Sequence, residues 1–274
     1  MRRLHSLLGL WIVIYLFEHL LVNSLAAFYT QDNGAGFISL VNKIHAIPYL
    51  RVVELLLLAF PFLVHAGWGM FYAMQGKMNS KITDGSAPSL PQYPRNRAYS
   101  WQRITSWILV VGILAHVIQM RFVENPLLVH HDLSSNYIIK LNRDAGLYDT
   151  AEKLGTQLYT KSQMLEEEQK IGGIKKLKEN QVIAVAPSAG AAYFLVVRET
   201  FKSPLMVILY SILVIASAYH AFNGLWTFLI TWGIIITRRA QSIFRKICNG
   251  LMFIVSVMGL MAAWGVYITF QIHT

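Results

Sequence analysis

The sequence predicts an all-α membrane protein, a bundle of five transmembrane helices carrying one long polar insertion. Two observations predict it. Of the 274 residues, 55% are hydrophobic and only 14% charged, against roughly 25% charged in a soluble domain. Five apolar runs are also long enough to supply the ~20 residues that cross a hydrocarbon core. The net charge of +10 does not indicate a nucleic-acid partner. The basic residues gather at the ends of the apolar runs, where they anchor helices and set orientation. Cys248 is the single cysteine, so the chain can form no internal disulfide, and there is no C-x-x-C-H motif for covalent haem attachment.

Helix I is expected over about residues 7–28. Arg2-Arg3 ahead of it resembles the start of a signal peptide, whose apolar core spans about 7–15 residues. This run is longer and contains Glu18-His19, so it reads as a span. Helix II is expected over about 52–74, with a bend at Pro61, which lacks the backbone donor a helix needs. Helix III covers about 104–122, helix IV about 204–236 and helix V about 247–272. Tyr49, Tyr99, Trp101 and Tyr193 fit aromatic belts near the span ends. The chain reads as one domain over 1–274, interrupted by the insertion at 123–203.

Lys77, Lys81, Arg95, Arg97 and Arg103 follow helix II, and Arg238, Arg239, Arg245 and Lys246 separate helices IV and V. The short I–II loop holds Lys43 and Arg51. The excess of basic residues on one side places the N-terminus in the cytoplasm and the C-terminus outside. The insertion holds ten of the fourteen acidic residues, the others being Glu18, Asp32, Glu54 and Asp84. Within it, Leu154–Glu179 reads as a surface helix interrupted by Gly172-Gly173. Val182–Val197 is apolar but short for a span, and reads as a membrane-surface or packing segment.

Four histidines, His19, His65, His116 and His220, stand in four different apolar runs. An imidazole in hydrocarbon is costly without a partner. Helices I and III run outward, II and IV inward. His19 follows Arg3, His65 follows Arg51, His116 follows Arg103 and His220 follows Lys202, each by 13–18 residues. At about 1.5 Å per residue each ring lies ~20–27 Å beyond its anchor, past the middle of a ~30 Å core. His19 and His116 therefore share the outer half, and His65 and His220 the inner half. Two bis-imidazole sites at two depths are the ligand set of two b-type haems. Zinc suits the pattern less, since its structural sites collect four ligands and lean on cysteine. Gly69, Gly112 and Gly224 stand four residues from His65, His116 and His220. On the same helix face, they leave room for a flat ring, or simply for close helix packing. His45, His130, His131 and His273 fall in loops or at the terminus and read as ordinary solvated or interfacial residues. With both axial positions filled, such haems carry electrons rather than activate substrates.

Several stretches resemble the five-helix, di-haem cytochrome b anchor of succinate dehydrogenase and the related fumarate reductase anchors. They are Arg2-Arg3-Leu4-His5-Ser6-Leu7-Leu8-Gly9 with Glu18-His19-Leu20-Leu21-Val22-Asn23, then Pro61 to Gly69 around His65. Gln102-Arg103-Ile104-Thr105 and His220 to Trp226 complete the set. The resemblance covers most of the chain outside the insertion. It implies a complex with a flavoprotein subunit carrying FAD and an iron–sulfur subunit, placed on a bacterial inner membrane. Electrons would pass through two haem b groups to a membrane quinone. It assigns His65 and His220 to the inner haem and His19 and His116 to the outer. His5 and Ser6 align with propionate contacts of the inner haem, and Arg103 lies at that face. The long insertion departs from the family pattern; it would cap the outer haem and quinone region. Ala218 stands where some fumarate-reducing members carry a glutamate linked to proton movement. Glu18 and Glu54 are the remaining intramembrane acids. Glu54 is the candidate for proton release at a quinone site, or an interfacial carboxylate paired with Arg51. Two other readings stay open: a cytochrome b subunit of another modular quinone enzyme, and a haem-free transporter with proton-relay histidines.

Overall fold

The computed structural model describes residues 2–76, 93–131, 134–163 and 177–272. Five helices in it are long and apolar enough to cross a membrane: I, Arg2–Asp32; II, Leu50–Gln75; III, Pro94–Val123; IV, Pro204–Thr231; V, Arg238–Gln271. The membrane-spanning part of the chain is thus all-α, as its composition predicts. Helices I, III and V begin well before their apolar runs, because hydrogen bonding continues through polar turns that hydropathy does not register. Helix IV ends earlier than expected, at Thr231 instead of residue 236. Gly233 adopts φ 71°. Its N–H donates to the Ile230 carbonyl and that of Ile234 to Leu229, the paired bonds of a glycine C-terminal cap.

The helices bury little of their apolar surface. Leu63 and Phe253 are each 69% exposed and Val111 70%. Such ridges are unfavourable in water and ordinary against lipid tails, where every backbone polar group must still be satisfied. Helix II shows how. It passes through a π-helical turn, Leu55–Ala59, just before Pro61. Pro61 offers no N–H to the Leu57 carbonyl four residues back, and the Trp11 indole N–H donates to that carbonyl instead.

The sequence reads as one domain; the packing of the chain divides it into two compact units. The first comprises Met1–Leu21, Tyr49–Ala115 and Tyr210–Gly259, the second Val22–Pro48, His116–Leu209 and Leu260–Thr274. In the first, helices IV and V meet at Gly259, where an added Cβ would lie 2.6 Å from Val214 Cγ1.

The second unit holds a four-stranded antiparallel sheet that the sequence reading did not contain. Its strands are β1 (Leu127–His131), β2 (Ser134–Asn142), β3 (Gln157–Tyr159) and β4 (Gln181–Ala186), in the order β1-β2-β4-β3. Alternate residues Ile139, Leu141, Val182, Ala184 and Ala186 form one face. They pack on Leu147, Ala191, Ala192, Leu195 and Val196. Ile138 and Ile183 point the other way. The apolar stretch Val182–Val197 is therefore a buried strand followed by a buried helix, Ala189–Phe201. Ser188 caps that helix, its hydroxyl accepting from the Ala191 N–H at 3.3 Å. The helix expected over Leu154–Glu179 lies partly outside the described residues. Its described start contains β3. Gly190 lets the helix Ala189–Phe201 touch the I–II loop helix Ala35–His45: an added Cβ would lie 2.4 Å from the Ile38 carbonyl oxygen. The Gly190 N–H donates to Asn42 Oδ1 at 2.7 Å.

Arg198 is 1% exposed. Its guanidinium donates through both terminal nitrogens to the Asp144 carboxylate, at 3.0 and 2.5 Å, and lies 4.8 Å over the Phe270 ring. Lys202 adds a third bond to Asp144 at 2.7 Å. Burial alone would raise the Asp144 carboxyl, but these partners hold it at about 2. Its stabilising contribution is complete above the ordinary carboxylate value near ~4. It is lost as pH falls toward about 2. Asp144→Asn leaves a buried guanidinium uncompensated, with an expected cost of about 3–5 kcal/mol. Amide hydrogen exchange in β2 and in Ala189–Phe201 should accelerate at neutral pH. Asp149→Asn, which breaks the exposed pair with Lys153, should leave those rates unchanged.

Candidate functional site

His65 of helix II and His220 of helix IV approach one another in the first unit. Their ring centroids are 6.4 Å apart, with planes at 84°. The His65 Nδ1 lies 3.0 Å from the His5 carbonyl oxygen. A carbonyl can only accept, so Nδ1 carries the proton and Nε2 keeps its lone pair. The His220 Nδ1 lies 3.3 Å from Thr105 Oγ1. The Thr105 hydroxyl has the Trp101 and Gln102 carbonyls within 2.8 and 3.1 Å. It spends its one proton there and accepts from His220, which again frees Nε2.

The backbone around His220 is pinned from helix III. Gln102 Nε2 donates to the His220 carbonyl at 3.0 Å, and Asn223 Nδ2 donates to Gln102 Oε1 at 2.6 Å. Residues picked out of two separate motifs thus touch each other. The glycine nearest a histidine is not one of the three chosen by spacing. An added Cβ on Gly9 would lie 2.9 Å from His65 Cε1. Gly69 faces His5 and Gly224 faces Gln102 at ordinary contact, while Gly112 is closed by Leu213 at 2.8 Å, a helix-packing role.

His5 stacks on His65, 4.1 Å between centroids and 7° between planes, and meets the edge of Tyr72 at 5.5 Å. Arg103 donates to the carbonyl of the adjacent Ala73 and lies 5.8 Å from the Tyr99 ring centre. His5 Nδ1, Arg103 Nε and Arg103 Nη1 are buried without a hydrogen-bond partner. These nitrogens gather beside Tyr72-Ala73 with hydrogen-bonding capacity that the described residues do not meet. Ser6 is differently engaged: its hydroxyl donates to the Arg3 carbonyl at 2.8 Å and accepts from the Trp232 indole at 3.0 Å.

His19, in the first unit, stacks on Tyr15 at 5.5 Å between centroids. The Tyr15 hydroxyl is 3.5 Å from its Nδ1. Tyr15 lies within electrostatic reach of Glu18 and Glu54. Glu54 is half-buried at the end of a helical turn, Leu50–Glu54, that leads into the π-helical Leu55–Ala59. His116 belongs to the second unit. It is half-buried in the last α-helical turn of helix III, before the π-helical Ile118–Val123. Of the loop histidines, His45 packs on Tyr193 and Tyr137, and His130 bonds Ser135.

Two imidazoles on opposite faces of one haem iron, with N–metal bonds of ~2 Å, put their ring centres about 6 Å apart. The His65–His220 spacing fits. So do the committed Nδ1 protons and the unpartnered nitrogens of His5 and Arg103, which match the carboxylates of a haem edge.

No protein-family model and no solved structure matches the chain. Among curated proteins it is similar to the succinate dehydrogenase cytochrome b558 subunit of Bacillus subtilis (strain 168). The identity is 25% over 262 residues, 95% of this chain and 93% of that protein. The uncovered 5% is shorter than any of the five helices, so the similarity reaches into each of them.

Gly9→Val crowds the His65 ring, with an expected cost of about 1–3 kcal/mol read as a lower unfolding temperature in detergent. Gly67→Ala, where an added Cβ meets nothing within 4 Å, should leave that temperature unchanged.

Proposed function

We propose that the chain is the haem-bearing membrane anchor of a succinate dehydrogenase. In this reading it receives electrons from an iron–sulfur subunit that is itself fed by a FAD-bearing flavoprotein, and it delivers them to a membrane quinone. The observation that carries the reading is the His65–His220 pair, 6.4 Å between ring centres with both Nδ1 protons committed elsewhere. The full-length similarity to a named cytochrome b subunit supports it.

His65 and His220 hold the inner haem, and His19 and His116 the outer one. Two haem b groups so held supply reversible one-electron chemistry across the bilayer. The chain's own residues do the rest. The His5 carbonyl and Thr105 fix the tautomers and raise the basicity of the inner ligands. Arg103 balances the charge of the inner haem's carboxylates, and His5 offers them a hydrogen bond. Ser6, whose hydroxyl already serves Arg3 and Trp232, shapes the start of helix I beside them. Glu54, with Tyr15 in its field, handles protons for the quinone. The basic loops and the N-terminus face the cytoplasm, and the C-terminus faces outward.

A reduced-minus-oxidised optical spectrum of the purified protein tests this, resolved by redox titration. Two b-type components are expected. His65→Ala or His220→Ala should remove the inner component first, and His19→Ala or His116→Ala the outer. Loss of the outer component alone from a His65 or His220 variant overturns the pairing, and a spectrum with no b-type band overturns the function. Thr105→Val keeps both ligands but deletes the acceptor for His220 Nδ1. It should weaken haem retention about 10–100-fold while the His19 site is unaffected.

A further inference from the structure

A second concave site lies within the first unit, at the end of the bundle where helices III and V begin and helix IV finishes. It has a volume of about 340 Å³ and is lined by residues of these three helices. Arg97 and Arg245 supply its charge, and Trp101 and Tyr219, 6.4 Å apart edge to face, form an aromatic wall. Neither guanidinium meets a carboxylate among the described residues. In that unit the described carboxylates are Glu18 and Glu54 alone, and neither lines the site. Two arginines therefore converge on a hollow whose described lining carries no negative charge.

The surroundings place this hollow at the level of lipid headgroups. Tryptophan and tyrosine concentrate where the hydrocarbon meets the polar layer. From the hollow toward the bilayer centre the surface turns apolar and exposed. One and two turns along helix IV from Tyr219 stand Ile215 and Ile212, and one and two turns along helix V from Asn249 stand Phe253 and Val257. Residues so spaced share a helix face. A soluble anion would use the arginines and leave this apolar track uncovered. A molecule with an anionic head and long acyl chains fits both.

We propose that this hollow binds an anionic phospholipid, its phosphate on Arg97 and Arg245 and its chains along Ile215 and Phe253. Asn223 lines the hollow and also belongs to the clamp on the His220 backbone, but the lipid proposal does not depend on what the histidines hold. It fits the general behaviour of basic pockets between membrane helices, which hold anionic headgroups.

The test is native mass spectrometry of the full chain, with any subunits that co-purify, delipidated and titrated with phosphatidylglycerol or phosphatidylcholine. Phosphatidylglycerol should be retained at least about tenfold more strongly. Arg97→Gln/Arg245→Gln should abolish that preference, while Arg238→Gln/Arg239→Gln, which removes equal charge from the same end, should change it less than about threefold. Equal binding of the two lipids by the unaltered protein overturns the proposal, a result that needs no variant. So does an equal loss in both double variants, which indicates diffuse surface charge. Displacement of phosphatidylglycerol by millimolar inorganic phosphate overturns it in favour of a soluble anion. Loss of co-purifying subunits with lipid preference intact overturns it in favour of a protein contact.

Discussion

Hydrocarbon cannot hydrogen-bond, so each polar group in a membrane span must be answered by another group of the protein. The first unit of this chain is arranged around that constraint. The His65 ring gives its Nδ1 proton to a carbonyl of helix I, and the His220 ring gives its own to a hydroxyl of helix III. Each imidazole is thereby fixed in one tautomer, and the other nitrogen of each keeps a lone pair that no hydrogen bond among the described residues uses. The same economy explains Trp11. Its indole serves the carbonyl that Pro61 deprives of a helical donor, so a proline that unsettles helix II also ties it to helix I. Ligand geometry and helix packing are here products of a single requirement.

The five spans were legible because lipid makes the reading simple: an apolar run of sufficient length has little choice but to be a helix. Their ends were less legible, since helices III and V run on through charged turns that hydropathy scores as loop. Helix IV carried a readable stop signal in Gly233, overridden by the apolar Ile234–Ile236 that follows it. The insertion was the larger gap. Val182–Val197 is uniformly apolar, which periodicity cannot divide into strand and helix. The divider was Pro187-Ser188, a break followed by a capping residue.

At the histidines, sequence spacing identified the residue types and left their supports unseen. Glycines four residues away on the same helix were the natural choice, yet Gly112 serves packing against Leu213, and the glycine under the His65 ring is Gly9 on another helix. The orienting acceptors were hidden for a related reason. One is a main-chain carbonyl, which no side-chain pattern reports. The other, Thr105, stood inside a quoted motif, but its role depends on which way helix III faces helix IV.

The buried nitrogens of His5 and Arg103 sharpen the chemistry further. Arg103 brings a guanidinium, a strong and multiple hydrogen-bond donor, into this cluster. Its single carbonyl contact at Ala73 leaves Nε and Nη1 unsatisfied, a cost that an anion at the same spot would offset. His65 and His220 ask for an electron-pair acceptor, while Arg103 asks for a negative charge. An iron porphyrin answers both demands in one molecule, the metal at its centre and the carboxylates at its edge. A bare metal ion would meet the first and aggravate the second, since added positive charge near an unpaired guanidinium is repulsive. The two sets of unsatisfied groups are linked through His5, which stacks on one ligand and meets Tyr72 beside Ala73. Their combination supports the proposed haem more narrowly than four intramembrane histidines do alone.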